Sequence, residues 1–186
     1  MNILAVAGSL RAASINAAFC RAASRLAPPG IHITVYDALG ALPPFNFDLE
    51  PDPPRSVTLF KEAIGAADAL IIASPEYAHG ISGVLKNALD WLVSCEGFVA
   101  KPVAVINTSP RAHHAHDSLL EVLKTMSATL VHEASISVPL LGGCITEAQM
   151  IGTPAIALQI HSALVALNTF LQVGAQPGPS FPVESL

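Results

Sequence analysis

The sequence predicts an α/β fold: a three-layer sandwich in which a five-stranded parallel sheet, in the order 2-1-3-4-5, lies between two layers of helices. Two observations predict it. Apolar strand-like runs alternate with helical patterns along the chain, the order that βαβ units require. Each run is also near-continuously apolar, as in strands covered on both faces. Five strands and five helices then suit the doubly wound order.

Each element follows from its residues. Residues 3–7 form an apolar run ending at Gly8, a buried first strand. Residues 14–26 are Ala-rich and helical until Pro28, Pro29 and Gly30 stop them. Residues 31–36 alternate and give the second strand. A Pro-rich loop over 38–54 comes next, then a helix over 56–66 with Ser56 as its cap. Ala69-Leu70-Ile71-Ile72-Ala73 is the third strand, 80–93 a helix, and Val103-Ala104-Val105-Ile106 the fourth strand. A helix over 113–128, a fifth strand over 130–138 and a last helix over 153–173 complete the pattern. In that last helix Ile156, Ile160, Leu164, Leu167 and Leu171 recur at helical spacing.

Composition narrows the class. A chain of 186 residues is sized for one domain, expected over residues 1–175, with a loose Pro-containing tail at 176–186. Hydrophobic residues make up 52% and charged residues 12%, the opposite of a disordered chain. So little charge leaves apolar surface for another subunit to cover, and a homodimer or homotetramer is expected. A net charge of −5 with 9 scattered Lys and Arg argues against a nucleic-acid partner. Cys20, Cys95 and Cys144 are far apart and odd in number, which fits reduced thiols in a cytoplasmic protein. No basic leader precedes the first apolar run. No charged residue falls between Glu147 and Glu184, but Gln159, His161, Asn168 and Gln172 interrupt the stretch 151–174. A packed helix is expected there, not a membrane span.

A sheet of this topology places a ligand beyond the C-terminal strand ends, at the loops 8–16, 75–80 and 108–114. The first loop, Gly8-Ser9-Leu10-Arg11-Ala12-Ala13-Ser14-Ile15-Asn16, follows a strand and opens a helix. Its hydroxyls, Arg11, Asn16 and the unpaired N–H groups of the helix start suit one terminal phosphate. The same residues also read as a capping loop with Ser14 at the N-cap. It is neither a G-x-G-x-x-G nor a Walker loop. The second loop, Pro75-Glu76-Tyr77-Ala78-His79-Gly80, offers a fixed chain direction at Pro75 and close backbone approach at Gly80, to seat a flat polar ring or simply to turn. His113, His114 and His116 lack the three or four ligands that zinc wants, Asp117 being the nearby carboxylate, so no metal is expected.

Taken together, Gly-Ser-Leu-Arg-x-x-Ser-x-Asn, Ser-Pro-Glu-Tyr and Leu-Lys-Asn-Ala-Leu-Asp-Trp resemble the NAD(P)H-dependent FMN reductases, which include quinone, chromate and azo reductases. The resemblance implies a flavodoxin-like fold with FMN as cofactor and NADPH or NADH as co-substrate. It puts the FMN phosphate on Ser9, Arg11, Ser14 and Asn16, with backbone from Leu10 and Ile15. It lays the ring along Pro75, Glu76, Tyr77, Ala78 and Gly80, with Ser109 matching in the third loop. The family has Asn where this chain has Ala78, and a Gly-rich run where it has Pro110 and Arg111. Arg111, His113 and His79 are then a rim that meets the phosphate of NADPH or an anionic acceptor. The flavin carries the redox chemistry by ping-pong hydride transfer, so no side chain is named as catalytic. Family members form dimers or tetramers, and the helices 80–93 and 153–173 are the interface candidates. Two other classes fit the same residues: a flavodoxin-like electron carrier without reductase activity, and a flavin-free oligomeric binding module.

Overall fold

A computed structural model of the chain describes residues 1–109, 113–138, 140 and 146–174. The central sheet is built from β1 (Asn2–Ala7), β2 (His32–Tyr36), β3 (Ala69–Ala73), β6 (Pro102–Ile106) and β7 (Thr129–Leu130). These strands are parallel and ordered β2-β1-β3-β6-β7, the flavodoxin-like order 2-1-3-4-5 that the sequence predicts. A small hairpin of β4 (Glu76–Tyr77) and β5 (Gly80–Ile81) stands outside the sheet. The helices are α1 (Ile15–Arg25), α2 (Arg55–Ala66), α3 (Gly83–Asp90), α4 (His113–Thr125), α5 (Glu147–Gly152) and α6 (Pro154–Gly174).

The sheet divides two cores of different grain. Ala5, Ala7, Ala69, Ala73 and Ala104 face the α1 and α6 side, where Ala18, Ala22 and Ala23 of α1 meet them. Small residues on both surfaces let α1 lie close to the sheet. The opposite face carries Leu4, Val6, Leu70, Ile72, Val103 and Val105 against Phe60 and Ile64 of α2, Leu85 and Leu89 of α3, and Leu119 and Leu123 of α4. Each such side chain, fully buried, contributes about 1.5–3 kcal/mol. Cys20 lies wholly inside the first core, where burial pushes its thiol up to about 12. It therefore stays protonated and unreactive.

In α6, Ile160, Leu164 and Leu167 are buried in the first core, with Ile156 and Leu171 packed at its edge. That is the face the spacing predicts. The helix is also long and apolar enough to cross a membrane by length and composition. Its outer side exposes Leu158, Val165 and Val173.

The fifth strand, the start of the third helix and the cap of α2 differ from the sequence reading, each for a local reason, and one short helix is added. The fifth strand ends at Leu130, where a turn over His132–Ala134 interrupts it. There the Ser135 hydroxyl donates to Val131 O at 2.9 Å and accepts the Val105 N–H at 3.0 Å, taking a strand's place in the ladder. The chain rejoins the sheet by a single bridge, Asn107 to Ser137. The third helix starts at Gly83, because Gly80 and Ile81 pair with β4 and Ser82 caps Leu85 N–H. In α2 the cap position is Pro54, without a side-chain bond, and Ser56 lies inside the helix. The short helix α5 was not expected; Thr146 and Gln149 form a capping box at its start. The predicted tail at 176–186 lies outside the described residues.

Candidate functional site

The parallel strands β1, β3 and β6 all end at one edge, and the three loops that follow them meet there. The first loop leaves β1 at Gly8, whose N–H continues the ladder to Ala73 O at 2.8 Å. A Cβ on Gly8 would lie 3.1 Å from Leu85 Cβ and from Ser82 Oγ. The glycine thus packs closely on the start of α3, where a Cβ would need Leu85 and Ser82 to give by a few tenths of an ångström. Leu10 and Arg11 project into solvent, while Ser9 is half-buried. Ser14 N–H returns to Arg11 O at 3.0 Å, closing a tight turn. Ser14 Oγ then accepts the Ala17 N–H at 3.2 Å as the N-cap of α1. Helix geometry leaves the N–H groups of Ile15 and Asn16 for another acceptor.

The second loop is the β4–β5 hairpin. Its two central residues, Ala78 and His79, have φ of 50° and 60°. Both central residues at positive φ make a type I′ turn, which favours Asn-Gly and is costly for Ala. Tyr77 is half in solvent, and Pro75 and Gly80 are half-buried. Glu76 points away from solvent: its Oε2 accepts the Ala115 N–H at 2.9 Å, in the first turn of α4. The His79 ring stacks on His114 with centroids 4.2 Å apart, and His114 meets His113 at 4.2 Å. Among the described residues, no group of three or more His, Cys, Asp or Glu is placed to hold a metal ion.

The third loop begins at Asn107. Asn107 Oδ1 accepts the Ser109 N–H at 3.0 Å. Thr108 turns inward and donates from Oγ1 to Asn16 Oδ1 at 2.9 Å. Pro110 and Arg111 lie outside the described residues, so of the predicted rim the structure brings together His79 and His113, with His114 between them.

A cleft of about 370 Å³ opens between the first two loops and the start of α3. It is lined by Gly8, Ser9, Leu10, Arg11, Tyr77, Ser82, Gly83 and Val84. Four predicted residues, Ser9, Leu10, Arg11 and Tyr77, therefore share one cavity. Ser14 and Asn16 are buried and do not line it: Ser14 is the cap of α1 and lies on a groove between α1 and α5, and Asn16 is bonded to Thr108. The structure adds Ser82, Gly83 and Val84, whose helix start contributes a second set of N–H groups and a partial positive charge. The signal for them is the Ser82 N-cap before Gly-Val-Leu, hidden when 80–93 reads as one helix. A hydroxyl, a guanidinium and the start of α3 around a cleft of this size fit a phosphate-bearing mononucleotide.

A larger groove, about 690 Å³, runs between α1 and α5. It is lined by Ala12, Ala13 and Ser14 from the end of the first loop but by no residue of the second or third, and its Arg21 and Arg25 both pair with Glu147, at 3.2 and 3.1 Å. Size alone does not make it the site.

The chain matches the family model for NADPH-dependent FMN reductase over residues 1–140. It is 41% identical over 112 residues to an NAD(P)H-dependent FMN reductase of Pseudomonas aeruginosa, covering 59% of this chain and 60% of that protein. It is 40% identical over 112 residues to a 2-hydroxy-1,4-benzoquinone reductase of a Burkholderia species, covering 59% of this chain and 61% of that one. The matched segment is thus about three fifths of each relative's length. Among solved structures it superposes on a flavoenzyme NAD(P)H:acceptor oxidoreductase from Paracoccus denitrificans with a TM-score of 0.71. That match covers 90% of this chain and 97% of the other at 24% identity, which speaks to the fold. With most of its length under the family model, the chain belongs to the NADPH-dependent FMN reductase family.

Proposed function

We propose that this chain holds FMN at the C-terminal edge of its sheet and is an NAD(P)H-dependent reductase of a small-molecule acceptor. The observation that carries the reading is the single cleft joining Ser9, Leu10 and Arg11 to Tyr77. Ser9, Arg11 and the N–H groups at the start of α1 would hold the phosphate. Pro75, Glu76 and Tyr77 would present backbone to the ring, with Ala78, Gly80 and Ser109 at its margins. Bound FMN supplies hydride acceptance from NADPH or NADH and donation to a quinone, azo, nitro, chromate or free-flavin acceptor. The chain's own residues bind and orient. Tyr77, half exposed beside the cleft, leaves one side open for successive partners, which supports ping-pong exchange. His79, His113 and Arg111 are the proposed rim for an anionic group.

A homodimer or homotetramer belongs to the same reading. Leu10 and Tyr77 are exposed beside the cleft and Leu158, Val165 and Val173 along α6, surface that association would cover. Cys20 and Cys95 are free thiols, which supports a reducing, cytoplasmic setting.

Anaerobic mixing of the FMN-loaded chain with NADPH tests the proposal. Bleaching of the oxidised-flavin band, followed by its return on adding a quinone, is expected. A flavin that stays oxidised would leave an electron carrier, and a chain that takes up no FMN would leave a binding module.

A further inference from the structure

The three loops are tethered to one another by side chains that do not line the cleft. Glu76 stands in β4 next to Tyr77, yet its carboxylate turns to the first turn of α4, where Oε2 accepts the Ala115 N–H at 2.9 Å. On the far side of the same hairpin, His79 stacks on His114 at 4.2 Å. Between the tethers lies a turn with Ala78 and His79 both at positive φ. Such a turn persists only where its surroundings over-determine it. The helix α4 directly follows the third loop, and Thr108 of that loop is bonded to Asn16 of α1.

We propose that Glu76 is a positioning residue, whose carboxylate ties the hairpin to the start of α4 and so sets the wall for the flavin ring relative to the phosphate loop. This rests on the cofactor reading above. The negative charge sits against the positive end of α4, so the bond is both directional and charge-assisted. Hairpin and helix start then form one body. Asn16 and Thr108 connect that body to the first loop. The side chain itself need not touch the flavin. Its effect is on the ring half of the site, and the phosphate half depends on Ser9 and Arg11.

The test compares Glu76→Gln, which keeps an acceptor of the same shape, with Glu76→Met, which keeps the bulk and loses the acceptor. Each full-length variant, stripped of flavin, is titrated by fluorescence with FMN and with riboflavin, which lacks the phosphate. Glu76→Met should weaken both flavins by about tenfold, leaving the FMN-to-riboflavin affinity ratio unchanged. Glu76→Gln should stay within about threefold of the unmodified chain. Amide exchange at Ala115 should quicken in Glu76→Met and not in Glu76→Gln. Unchanged affinity in Glu76→Met, a loss confined to FMN, or Glu76→Gln as weak as Glu76→Met would each overturn the role while leaving the cofactor reading intact. If the unmodified chain binds neither flavin, the cofactor reading fails and the positioning role falls with it.

Discussion

The hydroxyl of Thr108 donates to the side-chain oxygen of Asn16 across 2.9 Å, and both side chains are buried. Asn16 lies in the first turn of α1 after the first loop, and Thr108 lies in the third loop after β6. A single buried hydrogen bond thus fixes the spacing of two loops that lie 92 residues apart in sequence.

Replacing Asn16 by Leu leaves the Thr108 hydroxyl buried without its partner. We expect a loss of about 1–3 kcal/mol in urea unfolding. Adding Thr108→Val should recover much of it, because replacing both partners by apolar groups is nearly neutral. A double variant no better than Asn16→Leu alone would show that the bond is not the source of the loss.

The hairpin turn gives the opposite sign. Ala78 sits at φ 50°, where a Cβ without a local hydrogen bond is disfavoured and Asn is tolerated. Ala78→Asn should stabilise the chain by about 1 kcal/mol. The check is a rise in the thermal midpoint; an unchanged or lower midpoint would mean that the turn holds no such strain.

Asn87 shows what the Leu-Lys-Asn-Ala-Leu-Asp-Trp segment is for. Its Nδ2 donates to Pro43 O at 2.9 Å, its Oδ1 accepts the Phe45 N–H at 2.7 Å, and Trp91 Nε1 also donates to Pro43 O at 2.9 Å. The motif anchors the Pro-rich loop over α3. Asn87→Ala should speed proteolysis and amide exchange within residues 38–54 and cost about 1–3 kcal/mol. Protection unchanged across that loop would contradict the anchor.

Glu50 predicts an acid-side loss of stability. Its carboxylate accepts from the Ser94 hydroxyl and from Lys61 Nζ. The Ser94 bond, more than the Lys61 charge, holds it below the usual carboxylate range against a smaller opposing push from burial. A lowered folded-state value gives stability that is present above the ordinary carboxylate pKa and is lost as pH falls through the folded one. Glu50→Gln should therefore be less stable than the unmodified chain at neutral pH, and the gap should close on acidification. A gap that stays constant with pH would locate the effect in packing instead.

The fold was legible because hydrophobic burial is written along each strand. Ala69 to Ala73 and Val103 to Ile106 are buried throughout, so a continuous apolar run could mean little else. The fifth strand misled because its second half is apolar at alternate positions, yet Ser135 spends its hydroxyl on the Val105 N–H, and no pattern in sequence reports that. The phosphate loop was legible in residue type, but roles within it were not. Ser14 read as a donor to a ligand or as an N-cap, and the structure has it at the cap; Asn16 read as an amide donor, and the structure shows its side-chain oxygen accepting from Thr108. The Ser82 contribution was hidden because Gly80 and Ile81 pair in a two-residue strand, too short to have a period. Glu76 was marked as part of the ring segment, but its tie to α4 was not legible, since its partner is a backbone N–H 39 residues away.

Titration of the flavin-stripped chain with FMN, followed in the visible spectrum and compared with riboflavin, tests the central claim most directly. The cleft at Ser9 to Arg11 and Tyr77 predicts saturable binding of one FMN per chain, with riboflavin bound more weakly for want of the phosphate. No saturable binding, or equal affinity for the two flavins, would contradict it.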